Sequence, residues 1–256
     1  MEFVNYTQYN KAIDLKRLKF IADNLPIKDN EPLHILEVGC GNGNICYQLA
    51  RYGNIVTGID ISQTAINYAM SNFGNTPGLQ FKVMDAHELK PAKNEKYDVI
   101  VCSEVLEHLQ RPEQLVDHFK ELLTEHGIVI LTVPNGFGPR EVLITKPVQR
   151  MVKSEGFVSK SLLKLKHSLS FKGDTKQTSA ESLEHIQFFT VKHLKSLAEP
   201  RGFKITKVKS GDFIATVFPF SLLSRNSVFL QKMDNRIADM LPLGFTSEFF
   251  TVWEQH

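Results

Sequence analysis

Apolar and polar positions follow two alternating periods along the first half of this chain. Leu33 to Val38 is a short, mostly apolar run of strand length, and Ile45, Cys46, Leu49 and Ala50 then recur at helical spacing. Ile55 to Ile59 is a second apolar run ending at Asp60. Ser62 then caps a predicted helix with Ala65, Ile66, Ala69, Met70 and Phe73 on one side. Leu79 to Val83 alternates as a strand. Tyr97 to Cys102 is nearly all apolar, as a central parallel strand must be. Pro112 opens a helix where its missing N–H costs nothing. Leu115, Val116, Phe119, Leu122 and Leu123 form the buried stripe of that helix, and Gly127 ends it. Ile128 to Val133 is the fifth strand. A leading helix over Tyr6 to Leu25 carries Ile13, Lys16, Phe20 and Leu25 near one face and stops at Pro26. Five strands alternating with four helices predict a doubly wound α/β sheet.

The regular pattern breaks at Pro134 to Pro139. Residues from Arg140 to Glu184 are irregularly amphipathic. His185 to Thr190 leads into a helix over Val191 to Glu199, and Gly202 to Val208 reads as a sixth strand. Phe218 to Met240 reads as largely helical, and Glu248 to Trp253 as the last strand. One domain over 1–256 is expected. It has an N-terminal helical segment (1–30), a core (33–134) and a cap insertion (135–184). A C-terminal part (185–256) completes the core and carries a helical insertion near 218–240.

Composition narrows the class only slightly. A hydrophobic content of 42% and a charged content of 23% are those of an ordinary soluble globular protein. A net charge of +2 gives no whole-protein attraction to nucleic acid. Three cysteines, Cys40, Cys46 and Cys102, fit no disulfide framework and point to a reducing compartment. The N-terminus has no basic region followed by an apolar core, and no apolar run is long enough to span a membrane. A cytoplasmic location is the expectation.

The chemistry is concentrated in His34-Ile-Leu-Glu-Val-Gly-Cys-Gly-Asn-Gly-Asn44, a strand, a glycine turn and a helix start. Such a turn presents backbone N–H groups to a ligand. A dinucleotide fingerprint needs Gly-x-Gly-x-x-Gly. Here the third glycine comes one residue early, and Glu37 precedes the turn. Glu-x-Gly-x-Gly-x-Gly resembles the first motif of class I S-adenosylmethionine (SAM)-dependent methyltransferases. The stretch Ser103-Glu-Val-Leu-Glu-His-Leu109 resembles their motif after the fourth strand, as found in small-molecule and quinone-type O-methyltransferases. His185-x-x-Phe-Phe-Thr190 before Gly202-Phe203 is similar to the same family. The resemblance implies a Rossmann-like seven-stranded sheet, mostly parallel, whose last strand is antiparallel, with a helical cap.

It also implies SAM as cofactor and S-adenosyl-L-homocysteine as product. Glu37, Gly39, Cys40, Gly41 and Gly43 would form the cofactor loop. Asp60 would accept both ribose hydroxyls, with Ile61 beside it. Asp85 would accept from the adenine amino group, with Met84 and Ala86 against the ring and Ser103 and Glu104 completing the wall. Tyr6 or Tyr9 either closes over the cofactor or packs on the surface of the leading helix.

Methyl transfer from a sulfonium needs alignment above all, and for a hydroxyl acceptor a general base. His185 and His108 are the candidate bases, and each can equally serve to shape the wall. Glu104, Glu107 and His108 stand at i, i+3 and i+4, one helical face, and the resemblance to some quinone-biosynthesis O-methyltransferases implies that such a face can hold a divalent cation. Many relatives with the same letters hold none, so no metal is assigned. The place after the fourth strand lacks the Asn/Asp-Pro-Pro-aromatic signature of amino-methylating enzymes, and no base-stacking surface is evident. A small-molecule, lipid-linked or sugar hydroxyl is the expected acceptor. N- or C-methylation, a protein side chain, and a SAM-binding regulatory protein without catalysis are the alternatives. Residues 140–176 hold nine basic against three acidic residues, a net +6, among apolar ones. They read either as a solvated lid or as a peripheral contact with an anionic membrane. Oligomeric state is not encoded in any of these patterns.

Overall fold

The computed structural model describes residues 11–28, 31–89, 96–146 and 185–256. Seven strands form one sheet: β1 (His34–Val38), β2 (Ile55–Asp60), β3 (Leu79–Val83), β4 (Tyr97–Ser103), β5 (Leu123–Pro134), β6 (Phe203–Ser210) and β7 (Glu248–Gln255). Their spatial order is β3-β2-β1-β4-β5-β7-β6. β1 to β5 pair in parallel, and β7 runs antiparallel to both β5 and β6. The helices are α1 (Ala12–Asp23), α2 (Asn44–Ala50), α3 (Gln63–Phe73), α4 (Pro112–Leu122), α5 (Val191–Ala198), α6 (Phe220–Ser224) and α7 (Val228–Met240).

Alternation along the buried strands supplies two apolar faces. Ile35, Val56, Val99 and Ile130 pack with Leu18 and Ile21 of α1, Leu49 of α2 and Ile66 of α3. Leu36, Val38, Ile100, Cys102 and Leu131 pack on the other side with Leu115 and Phe119 of α4, Leu194 of α5 and Trp253. All the parallel strands therefore end at one edge, and the loops beyond their carboxyl ends build the site.

Three local expectations change. Gly127 does not end α4. The helix stops at Leu122, and Leu123 opens β5 opposite Tyr97. Strand pairing overrides the helical spacing of Leu123. Gly127 lies near the register shift between Tyr97 and Val99, where an added Cβ would sit 3.0 Å from the Tyr97 carbonyl oxygen. Met70 is 55% exposed, because Ala65, Ile66, Ala69 and Phe73 already fill the width of the buried stripe. The leading helix ends at Asp23 rather than Leu25.

Tyr6 and Tyr9 lie outside the described residues, as does most of the basic stretch within 140–176. The part before residue 147 is anchored to the loop after β5, with the Val142 N–H donating to the Gly138 carbonyl at 3.0 Å and Lys146 Nζ to that of Gly136 at 2.5 Å. The Asn135 side-chain amide donates to the Thr246 carbonyl at 2.7 Å and to that of Gly244 at 3.1 Å. Glu141–Thr145 forms a π-helical turn, a form concentrated at functional sites. Among the described residues no helix is long and apolar enough to cross a membrane.

Candidate active site

The glycine loop joins β1 to α2 and folds back onto the end of β2. Gly39, Gly41 and Gly43 have φ of 72°, 50° and 77°, the left-handed region where glycine avoids a Cβ clash. Two of them also lack room for a side chain. A Cβ on Gly39 would meet Val105 Cγ2 at 2.3 Å, and one on Gly43 would meet Phe81 Cζ at 2.6 Å. Gly39 and Cys40 both donate N–H bonds to the Ile59 carbonyl, at 2.8 and 2.9 Å. Gly43 donates to the Cys40 carbonyl at 2.9 Å, and Gly41 to Asp60 Oδ2 at 2.8 Å. These four amides are thus used within the chain, contrary to the expectation that the turn presents its N–H groups to a ligand. A pyrophosphate needs such amides. A loop whose amides are spent within the chain suits a nucleoside without phosphates better than a pyrophosphate.

Asp60, at the end of β2, is 7% exposed. Its Oδ1 accepts from the Ser62 N–H at 2.8 Å. Each carboxylate oxygen has a second lone pair, so both can still accept ribose hydroxyls. Ile61 beside it is 63% exposed, an open apolar platform. Met84 and Ala86 are half-buried and pack toward the core. Asp85 caps a short 3₁₀ turn, accepting from the His87 N–H at 2.9 Å, and this bond holds its carboxyl below the usual range. Ser103 Oγ lies 2.9 Å from Thr132 Oγ1. These carboxylate acceptors and apolar neighbours fit the hydroxyls, amino group and ring of an adenosine cofactor.

Glu37 is fully enclosed and accepts from the Cys46 thiol at 2.7 Å. Burial raises its pKa from 4.5 to about 8, against the pull of the Cys46 thiol and N–H. Cys40, Cys46 and Cys102 are free, buried thiols. Burial pushes the Cys46 and Cys102 thiols well up.

Glu104, Glu107 and His108 do not share a helical face. Leu106–His108 is a single 3₁₀ turn, and Glu104 before it adopts φ 57°, rare outside glycine. Thr132 Oγ1 donates to Glu104 Oε1 at 2.9 Å, and Arg17 Nη2 lies 3.7 Å from the same oxygen. Burial and the neighbouring Glu248 charge raise Glu104 to about 7, while Arg17 pulls it down. His185 takes the place foreseen for Glu104. One ligand atom each from Glu107, His108 and His185 lies within 4.8 Å of the others, a spacing that can hold a metal ion. Among the described residues Glu107 Oε2 is buried without a hydrogen-bond partner, and burial raises its carboxyl well above the ordinary value. The His185 and His108 rings meet edge to face at 5.2 Å. His185 Nδ1 lies 3.1 Å from Glu141 Oε1, and Glu141 is wholly buried.

Sequence reasoning missed Arg17, Thr132, Glu141, Asp212 and Glu248. Arg17 Nη2 donates to Glu248 Oε2 at 2.7 Å across 231 residues of chain. One signal for Arg17 was available: it stands four residues from both Ile13 and Ile21, on the apolar stripe of α1.

Residues 8–208 match the model of the methyltransferase domain family. The chain belongs to that family. The fold and the site place it in the class I architecture. The ubiquinone biosynthesis O-methyltransferase of Coxiella burnetii (strain Dugway 5J108-111) is 30% identical over 120 residues, 46% of this chain and 50% of that protein. The chain thus spans about half the length of the curated relatives it matches. An S-adenosylmethionine dependent methyltransferase structure from Mesorhizobium loti superposes with a TM-score of 0.59 at 14% identity, covering 95% of this chain and 98% of that one. The [4+2]-cyclase SpnF superposes with 0.57 at 14% identity, covering 94% and 81%. The same fold therefore carries more than one reaction name.

Proposed function

We propose that this protein is a SAM-dependent methyltransferase acting on a hydroxyl of a small-molecule acceptor. The observation that carries the reading is the glycine loop closed onto Asp60, in a chain whose residues 8–208 match the methyltransferase domain family. SAM supplies an activated methyl group, so the chain's own task is to orient, desolvate and deprotonate the acceptor. Asp60 fixes the sugar, Asp85 and Ile61 the base, and Gly41, whose N–H is tied to Asp60, lets the backbone lie close to the cofactor.

His185 takes the acceptor proton. Nδ1 lies 3.1 Å from Glu141 Oε1, and in the tautomer that donates from Nδ1 this contact orients the ring with Nε2 as the proton acceptor. This is the base-and-orienting-carboxylate arrangement of many proton-transfer sites. His108, beside it, shapes the wall. A second reading rests on the clustering of Glu107, His108 and His185: a divalent cation held there would bind the acceptor hydroxyl and favour its ionised form.

The test is incubation with methyl-labelled SAM and cell extract, read by mass spectrometry, beside calorimetry of SAM binding. Asp60→Ala should weaken SAM by about 1.5–3 kcal/mol, the range for bonds to a charged group. Unchanged affinity would remove this loop from cofactor binding. SAM binding without any labelled product would favour a regulatory protein. Turnover abolished by a chelator and restored by a divalent cation would favour the metal reading over the free base.

A further inference from the structure

Helix α7 is amphipathic in the inverse sense: its polar side chains face the protein. Gln231 Oε1 accepts from the Ala12 N–H at 2.9 Å, and its Nε2 donates to the Ser224 carbonyl at 2.9 Å. Asp234 is buried and accepts from the Phe213 and Ile214 N–H groups at 2.8 and 3.0 Å. Asp239 accepts from Lys16 Nζ at 2.8 Å and from Ser210 Oγ at 3.0 Å. Of the apolar residues of α7, only Ala238 is buried.

The outward face carries the rest. Phe229, Met233, Arg236, Ile237 and Met240 stand at i, i+4, i+7, i+8 and i+11, one stripe along the helix. All five are exposed, Phe229 at 73% and Met240 at 86%. The short helix α6 packs against α7 and adds exposed Phe220, Leu222 and Leu223. Single exposed apolar residues are ordinary on a protein surface, but a continuous row marks an interaction site. The inward hydrogen bonds fix the rotation of α7 about its axis. The stripe therefore faces outward by construction and not through loose packing.

Charge decides what covers it. Arg236 stands within the stripe, and the exposed Lys232 lies on its flank. Both acids of α7, Asp234 and Asp239, are bonded inward, so the outward face is apolar and basic. A protein partner would bury these cations at the middle of the contact, where interfaces are depleted in Lys. The headgroup boundary of a bilayer accepts both features at once. Apolar side chains enter the acyl region, and Lys and Arg lay their stems along it while their charged heads meet lipid phosphates.

We propose that the outward face of α7, with the exposed side chains of α6, docks on an anionic lipid surface. This face lies outside residues 140–176, and the proposal goes beyond the assigned reaction without depending on it. The test is co-sedimentation of the full chain with phosphatidylcholine vesicles, with and without phosphatidylglycerol. The chain should sediment with the anionic vesicles, and less so as salt rises. Lys232→Gln/Arg236→Gln should weaken this binding about tenfold or more. Phe229→Ser/Met240→Ser should weaken it about tenfold. Both double variants alter exposed side chains, and thermal denaturation checks that they fold. Lys192→Gln/Lys195→Gln removes the same charge from α5, which packs on the opposite face of the sheet, and should leave binding unchanged. Wild type that stays in the supernatant with anionic vesicles at low salt overturns the proposal. Equal weakening by the α5 variant overturns it in favour of unspecific charge attraction. Self-association of the wild type that Phe229→Ser/Met240→Ser abolishes, with vesicle binding unchanged, overturns it in favour of a second copy of this chain.

Discussion

Glu37→Gln should make the protein more stable, and more so as pH rises. The carboxyl of Glu37 is buried at the end of β1, with the Cys46 thiol 2.7 Å from Oε2. Burial carries its pKa from 4.5 to about 8, and the Asp60 charge adds to the effect. Between those values the folded chain keeps a proton that the unfolded chain has released. Stability therefore falls as pH rises from about 4.5 to 8 and levels off above. At about 1.4 kcal/mol per pH unit, the loss is roughly 3 kcal/mol at pH 7 and approaches roughly 5 kcal/mol above pH 8. Glutamine has nearly the same shape, still accepts from the thiol, and does not ionise. Its own burial adds an offset that does not depend on pH, so the readout is the difference between wild type and variant across pH. Urea unfolding at pH 5 and pH 8 measures it. The variant's advantage should grow by roughly 3–4 kcal/mol between the two. An advantage that stays constant, or shrinks, would refute a protonated Glu37 beneath the loop.

Two further predictions follow from the geometry. Gly43→Ala adds a Cβ 2.6 Å from Phe81 Cζ at φ 77°, so thermal denaturation should show a loss of about 2–4 kcal/mol; a smaller loss would mean that the loop yields. His185→Ala should lower turnover roughly 10²–10⁴-fold with SAM affinity nearly unchanged, while His108→Ala should cost far less; the reverse order in steady-state kinetics would reassign the base.

Much of the fold was written in local pattern. The apolar runs of β1, β2 and β4, the Ser62 cap and the glycine spacing each depend on residues within a few positions of one another. Short-range sterics and burial periodicity specify them without reference to distant chain. The same holds for the glycine loop, because the left-handed φ values at Gly39, Gly41 and Gly43 demand glycine there. The end of α4 was misread for the opposite reason. Leu123 continues the helical stripe, but pairing with Tyr97 of β4 draws it into β5.

What only the tertiary structure decided is where charges from distant segments meet. Arg17 reaches Glu248 across 231 residues, and Glu141 orients His185 across 44. Glu104 looked like a companion of Glu107 and His108 on spacing alone. A single 3₁₀ turn and a left-handed backbone at Glu104 turn it toward Thr132 and Arg17, and His185 fills its place. Lys11, Arg140, Arg225 and the buried Asp212 line one cavity from segments that share no local motif. Their positions follow from how α1, α6 and α7 pack beside the sheet. Such a convergence has no period or spacing, because the folded chain brings these side chains together only after each local element has formed.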